Sequence, residues 1–271
     1  MELNDVVCID TETGHWQHEH PAFAIHQCAM VPALPGLRAG SVNLYLKPIG
    51  FDPAKMRPDV MGVTGITPGK IETADPMNAE SMLCTAAMWN ENGFVVAGHN
   101  VRFDLKAIEV EAKIRGRNVD LSQTKFIDTF RLVREIYDEG EWTHRGCGVL
   151  PDFKLATCFY GIVGPEGWEE LSRHSANGAH DALTDALMVA MLVEHFHSQG
   201  ISVDDMVTIS AEPYVPRVCP LGNQKGKSWD KVELGFLKWM VDKRVWIRDT
   251  GETDEGLELA ILTEAKRRNV F

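Results

Sequence analysis

Residues 181–197, DALTDALMVAMLVEHFH, restrict the possible folds more than any other stretch of the chain. Alanine, leucine, methionine and valine dominate the helix predicted from about Asp181 to His197, and so apolar a helix must be buried between other elements. Asp185 breaks the pattern. It emerges from the first turn, and a carboxylate beside an apolar face calls for a partner. His180 precedes it by five positions, which on a continuous helix would separate the two side chains by roughly 140°. They share a site only if His180 lies in the loop ahead of the helix, an arrangement that Asp181 provides as N-cap. A histidine kept for structural reasons alone is the competing reading of this segment.

The rest of the chain supplies the layers for such a helix. Asn4–Asp10, Ala24–Val31 and Ser41–Lys47 are predicted strands, with Pro32, Pro35 and Gly36 punctuating a hairpin-like connection. Residues 48–75, rich in Pro and Gly, read as a surface excursion. Pro76–Glu91 is a predicted helix, Phe94–Ala97 a strand and Val101–Arg115 an amphipathic helix. Lys125–Asp128 is a further strand leading into helical Thr129–Tyr137, residues 138–152 are a predicted loop, and Lys154–Tyr160 is a short helix. A meander followed by alternating strand and helix implies an α/β domain with a mixed sheet flanked by helices. Its expected extent is residues 1–200, followed by a linker at 201–216, which holds Pro213 and Pro216, and a small C-terminal accessory module at 217–271.

Two more segments place acids at the ends of predicted strands. In VVCIDTETG, Asp10 and Glu12 lie two residues apart and project on one face of extended chain. Burying that pair without a counter-charge is costly, so a bound cation is expected, although a solvated turn would also accommodate a lone D-x-E. In FVVAGHNVRFDL the strand ends at Gly98, Asn100 is suited to cap the next helix, and Asp104 projects from its first turn. There the helix dipole gives a carboxylate modest support, and an ordinary first-turn acid is the alternative.

Taken together, DTETG, HNVRFD and HDALTD resemble the DEDDh family of 3′→5′ exonucleases in order, spacing and context. The resemblance covers roughly residues 3–198 and implies a ribonuclease H-like fold. FKLATCFYGI (153–162) and GVTGIT (62–67) also resemble segments of that family. By this resemblance the four metal-binding carboxylates fall on Asp10, Glu12, Asp104 and Asp185, and the general base on His180. Substrate contacts fall on Thr13, Gly14, Asn100 and Phe103. The chemistry agrees independently. Cleaving a phosphodiester between two divalent ions about 4 Å apart needs hard oxygen ligands, and an all-carboxylate set suits Mg²⁺ or Mn²⁺ better than zinc. An imidazole, with an ordinary pKa of about 6.5, can take a proton from water at neutral pH. The implied reaction releases nucleoside 5′-monophosphates from nucleic-acid 3′ ends, with DNA favoured over RNA. A polymerase or repair partner is consistent with the family. A non-catalytic nucleic-acid-binding subunit is the reading from a different class.

The chain departs from the family pattern where DTETG runs directly into HWQHEH. His15, His18 and His20 read as a solvated polar loop rather than a second metal site, and Trp16 as a base-stacking residue or as a lid or packing residue. The formal net charge of −12 looks unsuited to a nucleic-acid enzyme. Residues 217–248, however, hold eight Lys and Arg against Asp230, Glu233 and Asp242, a local surplus of five positive charges. Within this region PLGNQKGKSWDKVELGFLKWMVDK resembles a small module attached to some exonuclease X-like proteins. Lys225, Gly226 and Lys227 match its turn, and Leu237, Trp239 and Met240 match its helix. Basic residues interleaved with aromatics suit single-stranded nucleic acid, while Phe236, Trp239 and Met240 could equally form the core of the module. GNQKGKS and GITPGKI each have three residues between their glycines where a phosphate-binding loop needs four. The six cysteines include no C-x-x-C pair, so zinc ribbons and disulfide scaffolds are not expected. No apolar run reaches the roughly 18 residues of a membrane span, and the acidic N-terminus does not read as a signal peptide, which makes a cytoplasmic location the expectation.

Overall fold

The structure is a computed structural model that describes residues 1–20, 22–140, 147–174, 180–247 and 253–270. The chain divides into two compact units, Met1–Ala211 and Glu212–Phe271.

The first unit is built on a five-stranded mixed sheet: β1 (Val6–Thr13), β2 (Ile25–Pro32), β3 (Val42–Tyr45), β4 (Val95–Gly98) and β5 (Lys125–Asp128), in the order β3-β2-β1-β4-β5. The meander β1–β2–β3 is antiparallel, and β4 and β5 run parallel to β1. Consequently β1, β4 and β5 end at the same edge of the sheet. Alternation along the strands sends Val6, Cys8, Ala29, Val31, Val95, Ala97 and Ile127 to one face, and Ile9, Cys28, Met30 and Val96 to the other. The first face is covered by α5 (Thr129–Ile136), α6 (Leu155–Ile162), α7 (Pro165–His174), α8 (Ala182–Ser198) and α9 (Val203–Ala211). The second is covered by α3 (Asn78–Asn92) and α4 (Arg102–Ile114). This is the ribonuclease H-like α/β arrangement. α8, the apolar helix of the sequence reading, crosses β1 and β2 and buries eleven side chains, as its composition requires.

Several local expectations need correction. The 48–75 excursion contains two short helices, α1 (Pro58–Thr64) and α2 (Pro68–Glu72), each with proline in its first turn. The stretch read as a linker holds α9, which buries Val203, Met206 and Ser210 against β5 and α5. Ser202 and Asp205 start that helix with a reciprocal pair of hydrogen bonds: the Ser202 N–H donates to Asp205 Oδ2, and the Asp205 N–H to Ser202 Oγ. Within 138–152, Asp138–Glu139 pairs with Val149–Leu150, while residues 141–146 lie outside the described residues.

The second unit has its own core of Cys219, Val232, Leu237, Met240, Trp246, Leu257, Ile261 and Ala265 around α10 (Leu234–Lys243) and α11 (Glu255–Arg267). Among the described residues of the chain, no helix is long and apolar enough to cross a membrane.

Candidate active site

β1 carries its alternation to its end. Asp10 and Glu12 continue the row of Cys8, on the α8 face, and Thr11 continues the row of Ile9, on the α4 face. The register with β2 shifts between Glu12 and Thr13, which ends regular pairing just past the second acid.

α8 brings the next two groups. Asp181 is its N-cap and accepts from the Thr184 N–H at 3.3 Å. His180 therefore stands outside the helix, with φ at +64°, a left-handed backbone uncommon for a residue with a side chain. This geometry overcomes the 140° separation. Ligand atoms of Glu12, His180 and Asp185 lie within 4.8 Å of one another.

Asp104 arrives from the opposite face. Asn100, expected as the cap of α4, instead takes φ +69° one residue before the cap position, which Val101 occupies without a side-chain hydrogen bond. The Asn100 N–H donates to Asp128 Oδ1 at 2.8 Å. The carboxylate of Asp104 is buried and held by Thr11, whose N–H and hydroxyl both donate to Oδ1 at 2.9 and 2.7 Å.

Electrostatically the cluster is strained. Burial, followed by the charges of Asp104, Asp185, Glu12 and Asp181, pushes Asp10 well above the ordinary carboxylate range. Burial with Asp185, Asp104 and Asp181 pushes Glu12 up to about 8. Burial raises Asp104 to about 7 despite the two Thr11 hydrogen bonds. Asp185 rises to about 6, burial again dominating, while His180 pulls it back. Burial raises all four acids, Asp104 and Asp185 add to the rise at Asp10 and Glu12, and no Lys or Arg is among the causes, so the site is suited to divalent cations. The donor set of carboxylate oxygens fits a hard divalent cation.

Two further residues support the cluster. Gln27, fully buried opposite Glu12 in the β1–β2 register, donates to Asp181 Oδ2 at 3.0 Å. Asp181 thus caps α8 and anchors it to the sheet. A glutamine in the apolar strand AIHQCAMV was the available signal for this link.

The four expected substrate contacts are dispersed. Thr13 donates its hydroxyl to the His15 carbonyl. At Gly14 a β-carbon would lie 3.0 Å from the Ala22 carbonyl oxygen and from the His26 ring, so close packing by itself favours glycine there. Gly14 lines a cavity of about 450 Å³ with His20, His26 and Arg57. Asn100 lines a different cleft, of about 570 Å³, with Phe130, Arg134, Phe153 and Lys154, and none of the four carboxylates borders it. Phe103 packs with the α4-side core and under His18, ring centroids 4.6 Å apart. HWQHEH is largely the solvated loop expected of it, with Trp16, Gln17, Glu19 and His20 exposed. His15 is the exception, buried and stacked on His20 at 3.7 Å. The three histidines do not converge as a metal site among the described residues.

No family model matches the chain, and no curated protein does. Solved structures share its fold. The chain superposes on E. coli exonuclease I in complex with a dA16 oligonucleotide with a TM-score of 0.51 and 17% identity, over 75% of this chain and 42% of that one. The zinc-bound form of an E. coli exonuclease I–single-stranded DNA complex gives 0.51 and 17%, over 72% and 40%. Cell-death related nuclease 4 (CRN-4) gives 0.51 and 16%, over 72% and 64%. The chain therefore spans about two fifths of the length of the exonuclease I chains it matches.

Proposed function

We propose that the first unit is a divalent-metal-dependent 3′→5′ exonuclease acting on nucleic-acid 3′ ends, with DNA favoured. The observation that carries this reading is the meeting of Glu12, His180 and Asp185 at one end of β1, with Asp104 and Asp185 near enough to raise the proton affinity of both Asp10 and Glu12. The fold shared with exonuclease I bound to single-stranded DNA supports the same reading.

Asp10, Glu12, Asp104 and Asp185 would hold two divalent ions. Such ions, when bound, lower the pKa of an attacking water and stabilise the departing oxygen. His180 removes the proton of that water. Its exposure lets the proton pass on to solvent, and its left-handed backbone keeps the ring beside Glu12 and Asp185. Water adds to the terminal phosphorus, the bond to the 3′ oxygen of the preceding nucleotide breaks, and that oxygen is protonated. The products are a nucleoside 5′-monophosphate and a strand one nucleotide shorter. Asp181 and Gln27 act as positioning residues for the His180–Asp185 segment.

The test uses 5′-end-labelled single-stranded DNA and RNA side by side, with Mg²⁺, Mn²⁺ or chelator. A metal-dependent ladder shortening from the 3′ end is expected, faster on DNA. Faster shortening of RNA would reassign the enzyme as an exoribonuclease. No shortening of either strand would leave a nucleic-acid-binding subunit.

A further inference from the structure

The Gln224–Lys227 turn and α10 meet in the second unit to form a surface that the hydrolytic site does not use. Residues 219–227 form a closed turn: the Cys219 N–H donates to the Lys227 carbonyl at 2.9 Å and the Gly226 N–H to the Cys219 carbonyl at 2.8 Å. Gly226 at φ +83° and Gly222 at φ +53° supply the left-handed corners. The ring of Phe236 lies 3.1 Å from where a Gly222 β-carbon would be, so the turn rests directly on that aromatic. Phe236 in turn contacts Trp239, ring centroids 5.1 Å apart and tilted by 36°.

The helical period decides what else shares this face. Positions 236, 239 and 243 fall within roughly 60° of one another, whereas Leu237 and Met240 point into the core. Trp239, which the sequence could equally assign to the core, is 45% exposed. An exposed indole held against a packed phenyl is a rigid surface available for stacking.

The cations at the two ends differ from Lys227. The ammonium of Lys227 is engaged by Gln224 Oε1 at 2.8 Å and by Glu233. Lys225 and Lys243 are exposed and, among the described residues, their ammonium groups form no hydrogen bond or ion pair. The face therefore runs from Lys225 through Phe236 and Trp239 to Lys243, a cation at each end of an aromatic pair. From Phe236 to Lys243 the helix rises about 10 Å, at 1.5 Å per residue. That length spans two to three nucleotides.

We propose that this face binds single-stranded nucleic acid, with a base stacked on Trp239 and backbone phosphates at Lys225 and Lys243. Apolar protein partners are disfavoured because the aromatic pair is bracketed by unpaired positive charge, whereas a polyanion with flat bases satisfies both features. The proposal does not depend on catalysis, so it and the exonuclease reading can fail separately.

The test measures the full-length chain in chelator, without cleavage, against 5′-fluorescein-labelled dT12 and rU12 by anisotropy across a salt series. Trp239→Ala is expected to weaken binding at least about fivefold. Trp239→Phe should recover part of the loss, because a phenyl ring still stacks. Lys225→Ala with Lys243→Ala should lower the slope of log affinity against log salt by about 0.7 per lysine removed. Hydrolysis of a thymidine 5′-monophosphate p-nitrophenyl ester, which carries no further nucleotide to stack on this face, should be unchanged in all variants. Wild-type affinity in Trp239→Ala, or an unchanged salt slope in the double variant, would overturn the proposal. Full binding by a chain that shortens no strand would instead overturn only the exonuclease reading.

Discussion

The two units place left-handed, non-glycine backbone in opposite settings. In the first unit Asn100 and His180 stand just ahead of α4 and α8, the helices that deliver Asp104 and Asp185. In the second unit Arg244 ends α10 and Asn269 follows α11. A left-handed residue at a helix C-terminus is the ordinary way to stop a helix. The same conformation before a helix has no such duty. It costs on the order of 1–3 kcal/mol and is kept only where the surroundings enforce it. Buried acids differ in the same way. In the first unit neighbouring acids raise the proton affinity of Asp10 and Glu12, whereas in the second the buried Glu264 is paired with Arg267 at 2.6 Å. Unfavourable conformation and charge thus mark the chemistry in one unit, and ordinary packing leaves the other free to act through its surface.

The harshest test of this contrast is Asp10→Asn. Turnover on labelled single strands should fall to background, because a neutral amide no longer helps to hold cations; wild-type rates would remove Asp10 from the site. Next in size is His180→Ala, which should lower kcat about 10²–10⁴-fold, the usual worth of a positioned general base. Binding of dT12 in chelator should scarcely change, and an equal loss of binding and turnover would instead make His180 a structural element. Zinc should then inhibit in the presence of Mg²⁺. Its preference for imidazole draws His180 into coordination with Glu12 and Asp185 and occupies the base, so stimulation by zinc would argue against the role given to His180.

The smallest effect concerns stability. Folded-state values for Glu12, Asp104 and Asp185 lie above the ordinary carboxylate range, so folding favours their protonated forms. Their contribution to stability is complete below about pH 4 and is lost as pH rises through about 6 to 8. Metal-free protein should melt on the order of 2–4 °C higher for each kcal/mol so retained near pH 5. Glu12→Gln should remove part of this dependence, and Mg²⁺ should raise Tm more at pH 8 than at pH 5. Thermal scans in chelator and in Mg²⁺ check both, and a metal-induced shift independent of pH would contradict the assigned origin.

Much of the architecture was legible because burial leaves a period in the sequence. α8 shows it through an almost unbroken apolar run, and Lys125–Asp128 was delimited as found. The spacing of Asp10 and Glu12, and the cap at Asp181, also carried enough local physics to place His180 and Asp185 together. α9 was obscured because Pro213 and Pro216 dominated its surroundings, although Ser202 and Asp205 already spelled a helix start. The role of Thr11 was hidden for another reason. Its partner, Asp104, is 93 positions away, and only the return of α4 over β1 brings them into contact.

That contact bears on which ion the pocket would prefer. With two hydrogen bonds already on Oδ1, Asp104 would have Oδ2 left to offer a cation, as a single donor. A small octahedral ion accepts such one-point ligation, while Ca²⁺ favours wider shells in which carboxylates often donate both oxygens. Thr11, which touches no substrate in this account, would then act as a size filter on the ions the enzyme can use.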